Sequence, residues 1–149
     1  MLNIYIDADA CTVKSEVFKV AKRYDLMVFV VANQYLDIPL DEKIRMTVVS
    51  GAFDAADDWI VTNIESGDIL VTSDLLLADR CIKKEARVVS QKGDELDEDN
   101  IGGALATREL MSHLRNMGET NTGPRAMTKG NRSQFLSKLD QIIHSIRKT

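Results

Sequence analysis

The stretch Leu2 to Thr12, LNIYIDADACT, constrains this chain more than any other: an apolar run that halts at two carboxylates, Asp7 and Asp9. Leu2, Ile4, Tyr5 and Ile6 have the β-branched and aromatic character of a buried strand, and apolar side chains on both faces suit the centre of a parallel sheet. Asp7 and Asp9 then fall at its carboxyl end, where open α/β sheets bind ligands because loops rather than packed side chains fill that space. Two carboxylates at i and i+2 repel unless a cation or a shared proton relieves them. Either acid alone has a plainer role as a helix cap, in competition with the hydroxyl of Thr12 ahead of Val13. The case for a site depends on what the rest of the chain brings to the same edge.

Val13, Val17, Val20, Ala21 and Tyr24 recur at helical spacing opposite Lys14, Lys19, Lys22 and Arg23, which predicts an amphipathic helix ending near Asp25. Residues 26–32, LMVFVVA, read as a second strand and Met46 to Ser50 as a third. Gly51 opens GAFDAADDWIVTNI, in which Asp54 can cap a helix with an apolar stripe of Ala56, Ile60 and Ile64. Asp54, Asp58 and Glu65 lie away from that stripe, and acids in a first turn complement the helix dipole. Asp57 borders the stripe, where a carboxylate needs a partner or a metal. Ile69 to Thr72 then repeats the opening grammar, a short apolar strand stopping at Asp74, before a helix that carries Asp79 and Arg80.

Arg87 to Ser90 reads as a fifth strand, and the acidic run GDELDEDN as a solvated surface loop. From Gly102 the pattern turns helical: Ala104 to Met117, closing at Gly118, then the basic loop TNTGPRAMTKGN at 120–131. Asn131 with Gln134 makes a capping box for a last helix whose stripe is Phe135, Leu139, Ile142, Ile143 and Ile146. The order β-α-β-β-α-β-α-β followed by two helices predicts one domain over 1–149. Its class is α/β: a three-layer, Rossmann-like, mostly parallel sheet with a basic helical section at 102–149. Asp7, Asp9 and Asp74 would share one sheet edge, and the loop opened by Gly51 would have to carry Asp54 and Asp57 to it.

Composition narrows the chemistry. No apolar run approaches the ~18 residues of a membrane span, and no basic, apolar and cleavable leader is visible, so a cytoplasmic protein is expected. Cys11 and Cys81 lack metal or redox spacing and read as reduced core residues. His113 and His144 look like surface residues, which disfavours zinc, whereas a set of carboxylates suits Mg²⁺ or Mn²⁺. There is no P-loop, G-x-G-x-x-G fingerprint or serine nucleophile elbow. Metal-assisted phosphate ester hydrolysis remains the natural chemistry. Residues 1–100 hold 20 acidic and 11 basic side chains, and residues 101–149 hold 3 acidic and 8 basic. A net +5 section beside an acidic site suits a polyanionic substrate such as RNA, with Arg108, Arg125, Lys129 and Arg132 as its phosphate contacts.

DADAC, GAFDAADDWIV, GDILVTSDLLLADR and TGPRAMTKGNRSQFLSKLD resemble, in order and spacing, the motifs of the YaiI/YqxD family of uncharacterised bacterial proteins. That family is grouped with PIN-like nuclease domains, and the resemblance implies a PIN-like parallel sheet with aspartates at its strand ends holding a metal. On this basis Asp7 and Asp9 match the first motif, Asp54, Asp57 and Asp58 the second, and Asp74 and Asp79 the third. The chain departs from the family at Thr12, where proline is usual, at Asn131, where aspartate is usual, and before Pro124, where a doubled glycine is usual. The leading expectation is a ribonuclease-like hydrolase in which Asp7, Asp54 or Asp57, and Asp74 hold one or two Mg²⁺ or Mn²⁺ ions. Asp9 would be a further ligand or would orient the attacking water. An aspartate-nucleophile phosphatase of the haloacid dehalogenase type is an alternative: Asp7 and Asp9 half satisfy D-x-D-x-T, but Cys11 stands where threonine is wanted. A non-catalytic RNA- or protein-binding module that retains a structural cation is another.

Overall fold

A computed structural model describes residues 2–9, 11–51, 54–116 and 127–147, with side chains to Leu114 in the third of these segments. Its elements run β1 (Asn3–Asp7), α1 (Lys14–Tyr24), β2 (Met27–Ala32), β3 (Ile44–Val48), α2 (Ala55–Asn63), β4 (Ile69–Val71), α3 (Leu75–Ile82), β5 (Arg87–Val89), β6 (Glu95–Leu96), α4 (Ile101–Asn116) and α5 (Lys129–Arg147). The six strands form one sheet in the order β3-β2-β1-β4-β5-β6, parallel except for the β5–β6 pair. This is the three-layer, Rossmann-like α/β architecture that the alternation of elements predicts.

β1 is central and apolar on both faces, and its alternation splits the core in two. Ile4 and Ile6 pack with Val28 and Val30 of β2 against α1 and α5, where Val17, Val20, Phe135, Leu139, Ile142 and Ile143 are buried. Tyr5 points the other way with Leu70 and Val88, against Ala56 and Ile60 of α2, Leu77 and Cys81 of α3, and Ile101 of α4. Strands buried on both faces need hydrophobic side chains at every position, which is why β1, β2 and β4 read as continuous apolar runs. Both cysteines are buried free thiols. Among the described residues no helix is long and apolar enough to cross a membrane.

Several boundaries differ from the sequence reading. β3 begins at Ile44, two residues before the expected Met46, because the whole Ile44–Val48 segment pairs in register with Val28–Ala32. The acidic run after β5 is not simply a solvated loop. Leu96 is buried in antiparallel pairing with Val88, and Asp97 Oδ1 accepts from Asp99 N and Asn100 N at 2.9 and 3.0 Å as the chain enters α4. Gly93 in that turn has φ +93°, and a Cβ there would meet the Gln134 carbonyl carbon and the Phe135 nitrogen at 2.7 Å, so only glycine lets α5 pack so closely. The capping box of α5 sits three residues earlier than Asn131 and Gln134. Asn131 N donates to Thr128 Oγ1 at 3.0 Å, and Thr128 N donates to Asn131 Oδ1 at 3.1 Å. Asn131 is therefore the reciprocating partner and Thr128 the cap. The expected helix end at Gly118 lies outside the described residues.

Candidate functional site

The strand order reverses between β1 and β4: β1 leads through α1 to β2 on one side, while the chain later returns to β4 on the other. Such a switch point leaves a crevice at the carboxyl ends of the strands, since neighbouring connections leave in opposite directions. A cleft of about 380 Å³ lies at this end, lined by Asp7, Asp9, Asn33, Ala56, Asp57, Ser73, Asp74 and Gln91. α2 needs no long reach to it. β3 runs parallel to β1, so it delivers the chain to the same edge, and Gly51, at φ +113°, helps to turn it there.

Asp7 ends β1, and its Oδ2 accepts the Thr72 hydroxyl at 2.8 Å. Thr72 Oγ1 in turn accepts Asp74 N–H at 3.0 Å, so this buried hydroxyl ties the two strand ends together. Asp74 caps α3, its Oδ1 accepting from Leu76 N at 3.0 Å and Leu77 N at 3.2 Å. The cap and the cleft position coexist because one carboxylate oxygen serves the cap. Asp9, exposed just past β1, accepts from Asn33 N through Oδ1 at 3.1 Å and Oδ2 at 3.0 Å.

Asp57 sits in the first turn of α2 and turns into the cleft, as the margin of its apolar stripe suggested. Burial pushes its carboxyl up to about 6, helped by the charges of Asp7, Asp74 and Asp54 and opposed by Arg80. Burial likewise raises Asp7, against the lowering effect of the Thr72 hydrogen bond, with Asp74 and Asp9 adding repulsion. Mutual repulsion in a half-buried cleft is what a bound cation would relieve.

The other acids are placed differently. Asp54 is exposed at the N-cap of α2, makes no side-chain cap bond and acts on the cleft through its charge on Asp57. Asp58 pairs with Arg80 at 3.0 Å, and Asp79 with Lys83 at 3.0 Å. Arg108 and Lys129 are exposed on α4 and α5, and Arg125 lies outside the described residues. Arg132 is engaged with the fold: Nη1 donates to Thr12 O and to Glu16 Oε1, both at 2.7 Å, and Glu16 is buried. Arg132, expected only as a phosphate contact, therefore already holds a buried carboxylate of the fold.

As a test of fit, among the described residues the cleft offers carboxylate, amide and hydroxyl groups and no imidazole or thiol, the donor set of a hard divalent cation rather than of zinc. Among the described residues, however, no three acidic, His or Cys side chains already converge as a ligand cage. The acids ring the cleft instead, with Asp9 turned to Asn33 and Asp74 to its own helix.

Sequence reasoning passed over Thr72, Asn33, Ser73 and Gln91. Gln91 Oε1 accepts from both Thr12 N and Thr12 Oγ1 at 2.8 Å, joining the segment after β5 to the loop after β1. A usable signal was present: Asn33, Thr72 and Gln91 all stand within two residues of the end of a parallel strand, as Asp9 does.

The family model described as "Uncharacterized BCR, YaiI/YqxD family" matches residues 5–145, nearly the whole described fold. The chain belongs to the YaiI/YqxD family. Relatives of the same kind include the UPF0178 protein of Rhodospirillum centenum, 51% identical and covering 99% of each chain. That of Paramagnetospirillum magneticum is 50% identical over 99% of this chain and 98% of its own. That of Rhodopseudomonas palustris BisB18 is 47% identical over 98% and 94%. No solved structure matches the chain. Membership of the YaiI/YqxD family carries no activity with it.

Proposed function

We propose that the protein is a divalent-metal-dependent phosphodiesterase acting on RNA. The observation that carries this reading is the cleft at the sheet's switch point, where carboxylates from three separate segments, Asp7 and Asp9, Asp57, and Asp74, face one space. Capping accounts for Asp74 and a backbone bond for Asp9, but neither accounts for Asp57, whose proton affinity burial and the charge of Asp7 raise.

Asp7, Asp57 and Asp74 would hold Mg²⁺ or Mn²⁺, with Asp9 as a further ligand. The metal, when bound, supplies charge neutralisation at phosphate and a more acidic water. The protein's own groups then have separate tasks. Thr72 fixes the rotamer of Asp7 and pins Asp74 beside it. Asp9, the most exposed of the acids, is placed to orient a water and take its proton. Arg108, Arg125 and Lys129 lie in the net-basic part of the chain and would hold the substrate backbone away from the reacting phosphate, with Arg132 anchoring α5 to Thr12 and Glu16.

Metal titration by calorimetry tests the site. Mn²⁺ should bind the wild type and bind Asp7→Asn and Asp74→Asn far more weakly. Asparagine still accepts the Thr72 bond and still caps α3, so the fold survives both changes. Unchanged binding in both variants would overturn the assignment. Cleavage of labelled RNA compared with p-nitrophenyl phosphate, both with Mn²⁺, tests the substrate class. Activity confined to the small ester, with phosphate trapped on Asp7, would replace the nuclease by the phosphatase.

A further inference from the structure

Arg80 lies on α3, the helix that Asp74 caps, and its guanidinium reaches across to α2, where Nη2 meets Asp58 Oδ1 at 3.0 Å. Asp58 is the neighbour of Asp57 and faces solvent, with a side chain 62% exposed, while that of Arg80 is 44% exposed. The same guanidinium acts favourably on Asp57, whose carboxylate lines the cleft, so its charge is felt inside the acidic site. An exposed pair of this kind is worth only ~0.2–1 kcal/mol, because both ions remain hydrated and both side chains lose freedom to meet. A phosphodiester brought to the cleft offers the guanidinium a bidentate partner that a shared, exposed carboxylate does not. It also brings negative charge to a rim that already holds four carboxylates, and it needs a nearby cation to do so.

We propose that Arg80 is a substrate-phosphate contact beside the cleft, held in reserve by Asp58, which substrate displaces. The proposal rests on the phosphodiesterase reading and adds to it a specific contact that neither the basic C-terminal section nor the strand-end motifs supply. Asp58 is then a gate on affinity rather than a metal ligand. Free protein keeps Arg80 paired and the rim of the cleft neutral at that point, and only a ligand with its own phosphate takes the guanidinium over.

The test is binding of a labelled single-stranded oligoribonucleotide to the full chain across a salt series, for wild type, Arg80→Ala, Arg80→Lys, Asp58→Asn and the Arg80→Ala/Asp58→Asn pair. Arg80→Ala should weaken binding on the order of tenfold, the effect of a lost charge-assisted bond. It should also flatten the salt dependence by about 0.7, one single-strand phosphate contact. Arg80→Lys should restore part of the affinity. Asp58→Asn should tighten binding by up to about fivefold, the equilibrium worth of an exposed ion pair. That gain should vanish when Arg80 is already alanine. A merely structural staple between α2 and α3 would lower the melting temperature in both single variants and move affinity in neither. A general charge effect would leave the Asp58→Asn gain intact in the double variant. Either result overturns the role given to Arg80. If wild-type protein itself binds no RNA, the phosphodiesterase reading falls and this contact falls with it.

Discussion

The two ends of the sheet make an instructive pair. At the amino ends of the strands lies the larger cleft, about 510 Å³, bordered by Leu2, Leu26, Tyr24, Asp68 and Arg147. Its polar groups are committed to the fold. Asp68 is buried and accepts from Asn3 N at 2.9 Å and Glu65 N at 3.0 Å. The Tyr24 hydroxyl donates to Asp140 Oδ1 and lies 2.8 Å from His144 Nε2, with Arg147 stacked over its ring. The carboxyl-end cleft is smaller, about 380 Å³, and Asp7, Asp9, Asp57 and Asp74 ring it. Size thus points to one end and unresolved charge to the other. Chemistry follows the charge, because a satisfied carboxylate has no remaining demand for a ligand, whereas repelling carboxylates do.

Substitutions at the two ends should separate along this line. The largest loss is expected for Asp68→Ala, which strands two backbone donors in a buried place and should cost roughly 2–4 kcal/mol in urea unfolding. Should stability stay within experimental error, the amino-end cleft would be no more committed than the other. Arg132→Ala comes next. It marks where the carboxyl end too has a structural pair, leaving the buried Glu16 carboxylate without its 2.7 Å partner. A loss of about 1–2 kcal/mol is expected, moderated because the guanidinium is partly exposed. The Asp7 and Asp57 cleft should show the opposite sign.

For Asp57 the folded carboxyl is raised to about 6 from an ordinary 3.8, so the folded chain keeps a proton that the unfolded chain has lost. Its contribution to stability is full below 3.8 and fades as pH rises through about 6. Metal-free wild type should therefore lose stability over that window, with Asp7 acting in the same direction. Asp57→Asn should flatten the slope by less than about 1 kcal/mol, since solvent screens this partly exposed group. A variant with an unchanged pH profile would show that the acids do not strain one another. The smallest effect is reserved for Lys129→Ala, whose side chain is exposed at the start of α5: stability should hold within about 0.5 kcal/mol, which thermal melts can check.

Local pattern was enough for the class of fold and the core. The apolar runs of β1, β2 and β4 and the stripe of Phe135, Leu139, Ile142 and Ile143 each state their burial through their own periodicity, because burial acts on every residue of an element at once. Asp7 and Asp74 were legible for the same reason, as carboxylates that interrupt an apolar strand. Asp57 was legible from its place beside the stripe of α2.

What the sequence could not hold was the pairing of distant segments. The β3-β2-β1-β4 order, which brings β1 and β4 together, is a matter of which strands become neighbours, and no single strand encodes it. Nor could Thr72 be read as the link between Asp7 and Asp74, or Gln91 as the partner of Thr12 across 79 residues of chain. Arg132 reads from the sequence as a phosphate contact, and only the packing of α5 against α1 puts its guanidinium on Glu16. Short-range chemistry is written along the chain, but hydrogen bonds and ion pairs depend on distances of about 3 Å that only the packing of helices on the sheet sets.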